Sequence, residues 1–225
     1  MIKTLYKVLD KDMHSPFQCD FTYEIGREYR CNDFDIDPTI DCSMGFYAVD
    51  IDGLPYVFRP GRQVYLCAVW GKSVEYDQYK RRYSRIKILE RIPNSKIKAL
   101  AKVEENRLGY KLSEILFPHN PLTKKRTPTE KDIELIRQWA SVWDSVGASV
   151  WDSVGASVGD SVGAYISGLF PNIQKWKYIE HTEGINPFQP AIDLWYCNLV
   201  SSYDGDVWRL HSGKNAEIVW EQKDD

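Results

Sequence analysis

Long apolar runs are missing from this chain, and so is any excess of positive charge. No stretch of 18 apolar residues occurs, so no membrane-spanning helix and no membrane partner are expected. The opening residues, MIKTLYKVLD, lack the apolar core of a signal peptide. There are 29 Lys and Arg against 32 Asp and Glu, a net charge of -3. That balance leaves no basic field to gather phosphates, so no nucleic-acid partner is expected. Cysteines are few. Cys19, Cys31, Cys42, Cys67 and Cys197 form no CxxC pair and read as reduced thiols of a cytoplasmic protein. The four histidines stand far apart, which offers no metal site from spacing. GxSxG, P-loop and GxGxxG motifs are absent, so no cofactor is implied.

What is present is ordinary globular material. With 43% hydrophobic residues over 225 positions, the chain can bury one large core or two small ones. The reading is α+β, in four segments: a mostly antiparallel β-rich domain over 1–93, a helical connector over 94–126, a tetrad-repeat helix over 127–170, and a small helix plus β-hairpin module over 171–225.

In the first segment Thr4–Leu9, Phe21–Cys31 with a turn at Gly26, Gly45–Val49 and Tyr83–Ile92 read as strands. Gln63–Gly71 (QVYLCAVWG) is nearly all apolar and belongs at the sheet centre. Asp33–Asp41 reads as a solvated loop, and Lys80-Arg81-Arg82 as a solvated turn. At Pro93 the period changes, and Asn94-Ser95 opens a helix that Gly109 interrupts. Ile173–Ile179 reads as a strand. Asn186-Pro187 opens a short helix, and Val207–His211 with Ala216–Trp220 form the terminal hairpin.

The most regular stretch is Ala140–Gly163: ASVW DSVG ASVW DSVG ASVG DSVG, followed by a degenerate tetrad, Ala164-Tyr165-Ile166-Ser167. A helix, a β-solenoid and a flexible arm can each carry such a repeat. The helix is favoured because Thr127-Pro128-Thr129-Glu130 has the form of a capping box, with Thr127 as N-cap and Pro128 at the first helical position. Four residues overshoot a helical turn by about 40°. Val142, Val146, Val150, Val154, Val158 and Val162 therefore wind around the helix and need partners on more than one side. Gly155, Gly159 and Gly163 form GxxxGxxxG, which lets two backbones approach closely. A single rod from Thr129 to Phe170 would span about 63 Å and project from the body. Either it breaks near Gly147 or Gly155 and folds back, or it pairs with copies of itself. Homo-oligomerisation through these valines and glycines is the favoured expectation.

Two resemblances bear on function. The stretch Pro187-Phe188-Gln189-Pro190-Ala191-Ile192-Asp193-Leu194-Trp195, with Ser202–Gly213 (SYDGDVWRLHSG), resembles a family found in bacterial and phage genomes. Its members join a β-rich domain to a tetrad tract and this end module. That implies a bacterial or virion-associated setting and supports the helix, but assigns no activity. More locally, Ser43–Asp50 (SMGFYAVD), with Tyr56 downstream, resembles the Gly-x-Tyr-Phe-Ala segment of ADP-ribosyltransferases. There an aromatic strand helps hold nicotinamide. This resemblance implies Tyr47 and Glu75 as catalytic candidates, and Tyr6, Lys7 and Tyr56 as ligand-binding ones. Arg209 and His211 lie two apart on a strand, a cation pair able to grip an anion.

The functional expectation is thus a non-enzymatic oligomerising scaffold or binding protein of phage or bacterial origin. The alternatives are an ADP-ribosyltransferase-like domain that binds or cleaves a nicotinamide dinucleotide, and a symmetric assembly that sequesters a small nucleotide.

Overall fold

The computed structural model describes residues 1–15, 18–40, 42–75, 79–146, 156–176, 179 and 181–222. It is α+β and divides into two compact units, Met1–Leu108 with Leu112–Phe117, and Gly109–Lys111 with Pro118–Asp225. The expected boundary at 93 is displaced. The helices read as a connector belong to the first unit, because Ile97, Ala101, Leu112 and Leu116 all bury their side chains.

The first unit contains β1 (Lys3–Leu9), β2 (His14–Ser15), β3 (Gln18–Thr22), β4 (Glu28–Arg30), β5 (Phe46–Ala48), β6 (Gln63–Glu75) and β7 (Arg81–Ile92). It also holds α1 (Leu54–Val57), α2 (Asn94–Leu108) and α3 (Leu112–Leu116). β6 and β7 form a long antiparallel hairpin, and β6 lies centrally as expected, with β1 on its other edge. β7 accepts β4 along Arg85–Lys87 and β5 along Arg81–Tyr83. Just past β5, Val49 exchanges both backbone hydrogen bonds with Tyr6 of β1, at 2.9 and 3.0 Å. The sheet thereby closes on itself through one residue pair. Leu5, Leu9, Tyr23, Phe46, Cys67, Ile86 and Ile88 fill the interior. Gly71 has φ +86 at a register shift in β6, and a Cβ there would lie 2.4 Å from Ser84 Oγ, so only glycine fits the bulge.

The basic run is not a solvated turn. Arg81 and Arg82 open β7, and Arg82 is only 1% exposed. The acidic loop before β5 is largely exposed as expected, yet it is anchored from beneath by this same arginine.

The second unit contains α4 (Glu130–Val146), α5 (Ala156–Ser167), α6 (Gln189–Tyr196), β8 (Val200–Tyr203), β9 (Trp208–Ser212) and β10 (Glu217–Glu221). The strands form an antiparallel sheet with β9 in the middle, so the expected hairpin gains a third strand. The described part of the expected strand Ile173–Ile179 is not a strand, and its one printed link across the following loop is the Gly184 N–H donating to the Gln174 carbonyl at 3.2 Å.

The described tetrad residues are helical, but they are not one straight rod. Ile136 and Ala164 share a single core with Ile192, Leu194 and Trp208. In one straight helix these two residues would stand about 42 Å apart. α4 and α5 instead both pack on α6, and α5 also packs on β8. The folded-back arrangement holds.

The cap of α4 also differs. The box is Thr129-x-x-Asp132, two residues later than Thr127-x-x-Glu130. Asp132 Oδ2 accepts from the Thr129 backbone N–H at 2.8 Å and the Thr129 hydroxyl at 2.6 Å. Arg126 donates to the same oxygen at 2.8 Å. A buried acid with a cationic partner outcompetes the exposed Glu130 for this position. Among the described residues no helix is long and apolar enough to cross a membrane.

Candidate functional site

Beyond the Tyr6–Val49 pair the edges of β1 and β5 part, and a cavity of about 30 Å³ opens between them. Tyr6, Lys7, Ser15, Tyr47 and Lys80 line it, with Val8, Ala48, Val49 and Val57 completing the wall. Three residues singled out in the sequence, Tyr6, Lys7 and Tyr47, therefore converge here. The space holds about one water molecule, not a nicotinamide ring.

Lys7 is the unusual member. It occupies an inward position on β1, in step with Leu5 and Leu9, and is only 4% exposed. Its Nζ donates to the Tyr47 carbonyl oxygen at 2.8 Å and stands 5.2 Å from the centre of the Tyr23 ring. Burial lowers its pKa to about 8, and the positive charge of Lys80 adds to the effect. Neighbouring Cys67 is pushed up to about 12, also by burial. Lys80 Nζ lies 4.7 Å from the centre of the Tyr47 ring and 3.5 Å from Cys42 Sγ.

Tyr47 is gripped from the other end by Arg82. Nη1 donates to the Tyr47 hydroxyl at 3.0 Å and to the Ile40 carbonyl at 3.1 Å, and Nη2 donates to the Asp37 carbonyl at 2.6 Å. The planar guanidinium thus ties β5 and the acidic loop to the start of β7. Gly45 (φ +148) makes room for it, since a Cβ there would sit 2.4 Å from Arg82 Cγ. Sequence reasoning missed Arg82 and Lys80. The signal for Arg82 was parity, because position 82 is in step with Ile86 and Ile88 on the same strand.

The other candidates lie elsewhere. Glu75 ends β6, outside the cavity lining, and pairs with Arg81 at 3.0 Å. Tyr56 is exposed and stacks on Tyr79, with ring centres 4.3 Å apart. Arg209 is bonded to the carboxylates of Asp204 and Glu221. Asp204 is held well below the usual carboxylate range, chiefly by Arg209. His211 contacts Ser202 Oγ at 2.7 Å and the Ala216 carbonyl at 3.0 Å. The cation pair is therefore internally engaged, which suits a structural hairpin better than an anion grip. Asp10, Asp12 and His14 bring potential metal-ligand atoms together, but Asp10 Oδ1 already accepts the backbone N–H groups of Asp12 and His14 and so builds the turn after β1.

Among the oligomerisation candidates, Val142 packs partly buried against the second unit's core. Val146 ends α4, and Val158 and Gly159 fall within α5. Val150, Val154 and Gly155 lie outside the described residues. Val162 and Ile166 are 39% and 48% exposed on α5. A Cβ added to Gly163 would meet nothing within 4 Å. The chain matches no known protein family, no curated protein and no solved structure.

Proposed function

We propose that this is a cytoplasmic, non-enzymatic binding protein, of bacterial or phage origin, that self-associates through the outward face of α5. The observation that carries the reading is the pairing of exposed Val162 and Ile166, one turn apart, beside the open space over Gly163. Residues at i and i+4 share a helix face. A glycine beside two apolar side chains lets a second helix come close at the edge of their stripe, and the side chains supply area to bury. Phe170, just beyond the helix, extends the same exposed apolar set. The opposite face of α5 is committed inward through Ser161, Ala164 and Tyr165, so among the described residues of α5 this outer face is open to a partner.

The nicotinamide reading has less support. Its cavity is too small for the ring, and Glu75 and Tyr47 do not face a common space.

Sedimentation velocity over a wide concentration range tests the proposal. The chain is expected to sediment as an oligomer, and Val162→Asp with Ile166→Asp as a monomer with an unchanged circular dichroism spectrum. A wild-type chain that stays monomeric at all concentrations rules the proposal out.

A further inference from the structure

A larger cavity lies within the second unit, between α4 and the sheet of β9 and β10. Its volume is about 910 Å³, within the roughly 300–1,000 Å³ of pockets that take small organic guests. Its floor is apolar. Trp208 is in step with buried Leu210 along β9, and Trp220 on β10 is the cross-strand partner of Leu210, so both indoles reach the cavity from the inward face of the sheet. Ile136 is buried beside them, and Ile133 is half-buried. Trp208 is stacked on Tyr203, with ring centres 4.9 Å apart. Trp220 stacks on no ring among the described residues and lines the cavity half-buried. The rim is charged. Glu130 and Arg137 stand on the same stripe of α4 as Ile133, and neither has an ion pair or a side-chain hydrogen bond among the described residues. The third charged group of the lining, Glu221, is already held by Arg209.

We propose that this cavity binds a free tripeptide with an apolar central residue, its ammonium end at Glu130 and its carboxylate end at Arg137. The length follows from the helix. Positions 130 and 137 are about two turns apart, roughly 10.5 Å along the axis of α4. Both side chains lean toward the start of the helix, which preserves that spacing. An extended chain advances about 3.3–3.6 Å per residue, so three residues span about 10–11 Å. A dipeptide is too short to meet both charges, and a pentapeptide carries one of its ends past them.

The two parts of the lining have different tasks. Glu130 and Arg137 are both exposed, and ion pairs at an open rim are weak. The indoles and isoleucines therefore supply most of the affinity by covering the central side chain, while the two charges set the length and direction of the guest. A guanidinium can hold the terminal carboxylate with two parallel hydrogen bonds, which fixes that end. The site shares no residue with the outward face of α5, so it stands whether or not the chain self-associates.

The experiment is a nitrogen–proton NMR titration of the full chain with Ala-Leu-Ala and Ala-Phe-Ala, following the indole N–H of Trp220 and the backbone amides of α4. Saturable shifts are expected at Trp220 and from Ile133 to Arg137. Acetylating the peptide amine, or amidating its carboxylate, is expected to weaken binding about threefold each. Glu130→Gln is expected to remove the effect of acetylation, and Arg137→Gln that of amidation. Both substitutions are on the surface, and the main readout uses the wild-type chain. No saturable shift with either tripeptide at millimolar concentration overturns the proposal. Equal affinity for free and doubly blocked tripeptides also overturns it and marks a plain apolar groove. So does a dipeptide or a pentapeptide that binds as tightly as the tripeptide, and in the second case the cavity takes a segment of a longer chain.

Discussion

Arg82 holds the hydroxyl of Tyr47 at 3.0 Å while Lys7 holds the carbonyl of the same residue at 2.8 Å. One aromatic residue on a three-residue strand is thus fixed at both ends by buried cations. Tyr47→Phe removes one charge-assisted hydrogen bond and is expected to cost about 1–2 kcal/mol. Arg82→Lys is expected to cost about 3 kcal/mol, because a single ammonium cannot span the carbonyls of Asp37 and Ile40 and the Tyr47 hydroxyl together. Urea denaturation measures both, and equal losses in the two variants would refute the account of Arg82 as a three-way tie.

The lowered pKa of Lys7 gives stability a definite pH dependence. Its folded value is about 8, against an ordinary 10.5. Between these values the unfolded chain binds more protons, so stability rises with pH, and below the folded value the penalty is fully present. The full rise is roughly 3 kcal/mol. Cys67 opposes it above its ordinary value of 9.0, because there the folded state retains the thiol proton. The net climb is therefore expected from about pH 8 to about pH 9. Lys7→Met is expected to flatten it, and superimposable profiles for the two proteins would contradict the assignment.

At the start of α4 the two threonines separate cleanly. Asp132, 2% exposed, serves Thr129 and Arg126 with one carboxylate oxygen. Asp132→Ala is expected to cost about 2–4 kcal/mol, the lost cap adding to a guanidinium left without its acid. Thr127→Ala is expected to change stability by about 0.5 kcal/mol or less. Thermal unfolding of the two variants checks this, and a larger effect at Thr127 would restore the earlier capping position.

Gly163 distinguishes the monomer from the assembly. Within one chain an added methyl meets nothing, and alanine is the better helix former by about 1 kcal/mol. Gly163→Ala is therefore expected to stabilise the single chain while weakening association through α5. Sedimentation and denaturation are measured on the same samples. Association that tightens along with stability would place the interface elsewhere.

Much of the fold was legible because its signals are local. The central position of β6 follows from its apolar run, and the end of α2 at Gly109 from a residue that accepts φ +76. The inward amine of Lys7 could have been read by stepping in twos from Leu5 to Leu9. What sequence could not give depends on distant partners. Arg82 looks like surface charge until the carbonyls of Asp37 and Ile40 are seen above it. β8 hides in VSSY because its serines are satisfied by partners outside the segment, Ser201 by Ser161 forty residues away and Ser202 by His211 on the neighbouring strand. The cap moved by two residues because Arg126 favours Asp132, a pairing six residues apart that the four-residue capping pattern does not span. The repeat showed that it needed partners but not that α6 would be one of them.

The anchors of the repeat are its exceptions. Tyr165, in the degenerate last tetrad, stacks on Trp195 with ring centres 5.2 Å apart, and Ser161 meets Ser201 at 2.9 Å. At the other end Ile136 and Trp139, which precede the first tetrad, sit in the same core. A copying slip that adds or deletes one whole tetrad between Val146 and Ala156 leaves every one of these anchors with the same neighbours in sequence. The gene can therefore vary its tetrad number without rewriting the packed ends, and natural length variants are expected to differ in multiples of four residues.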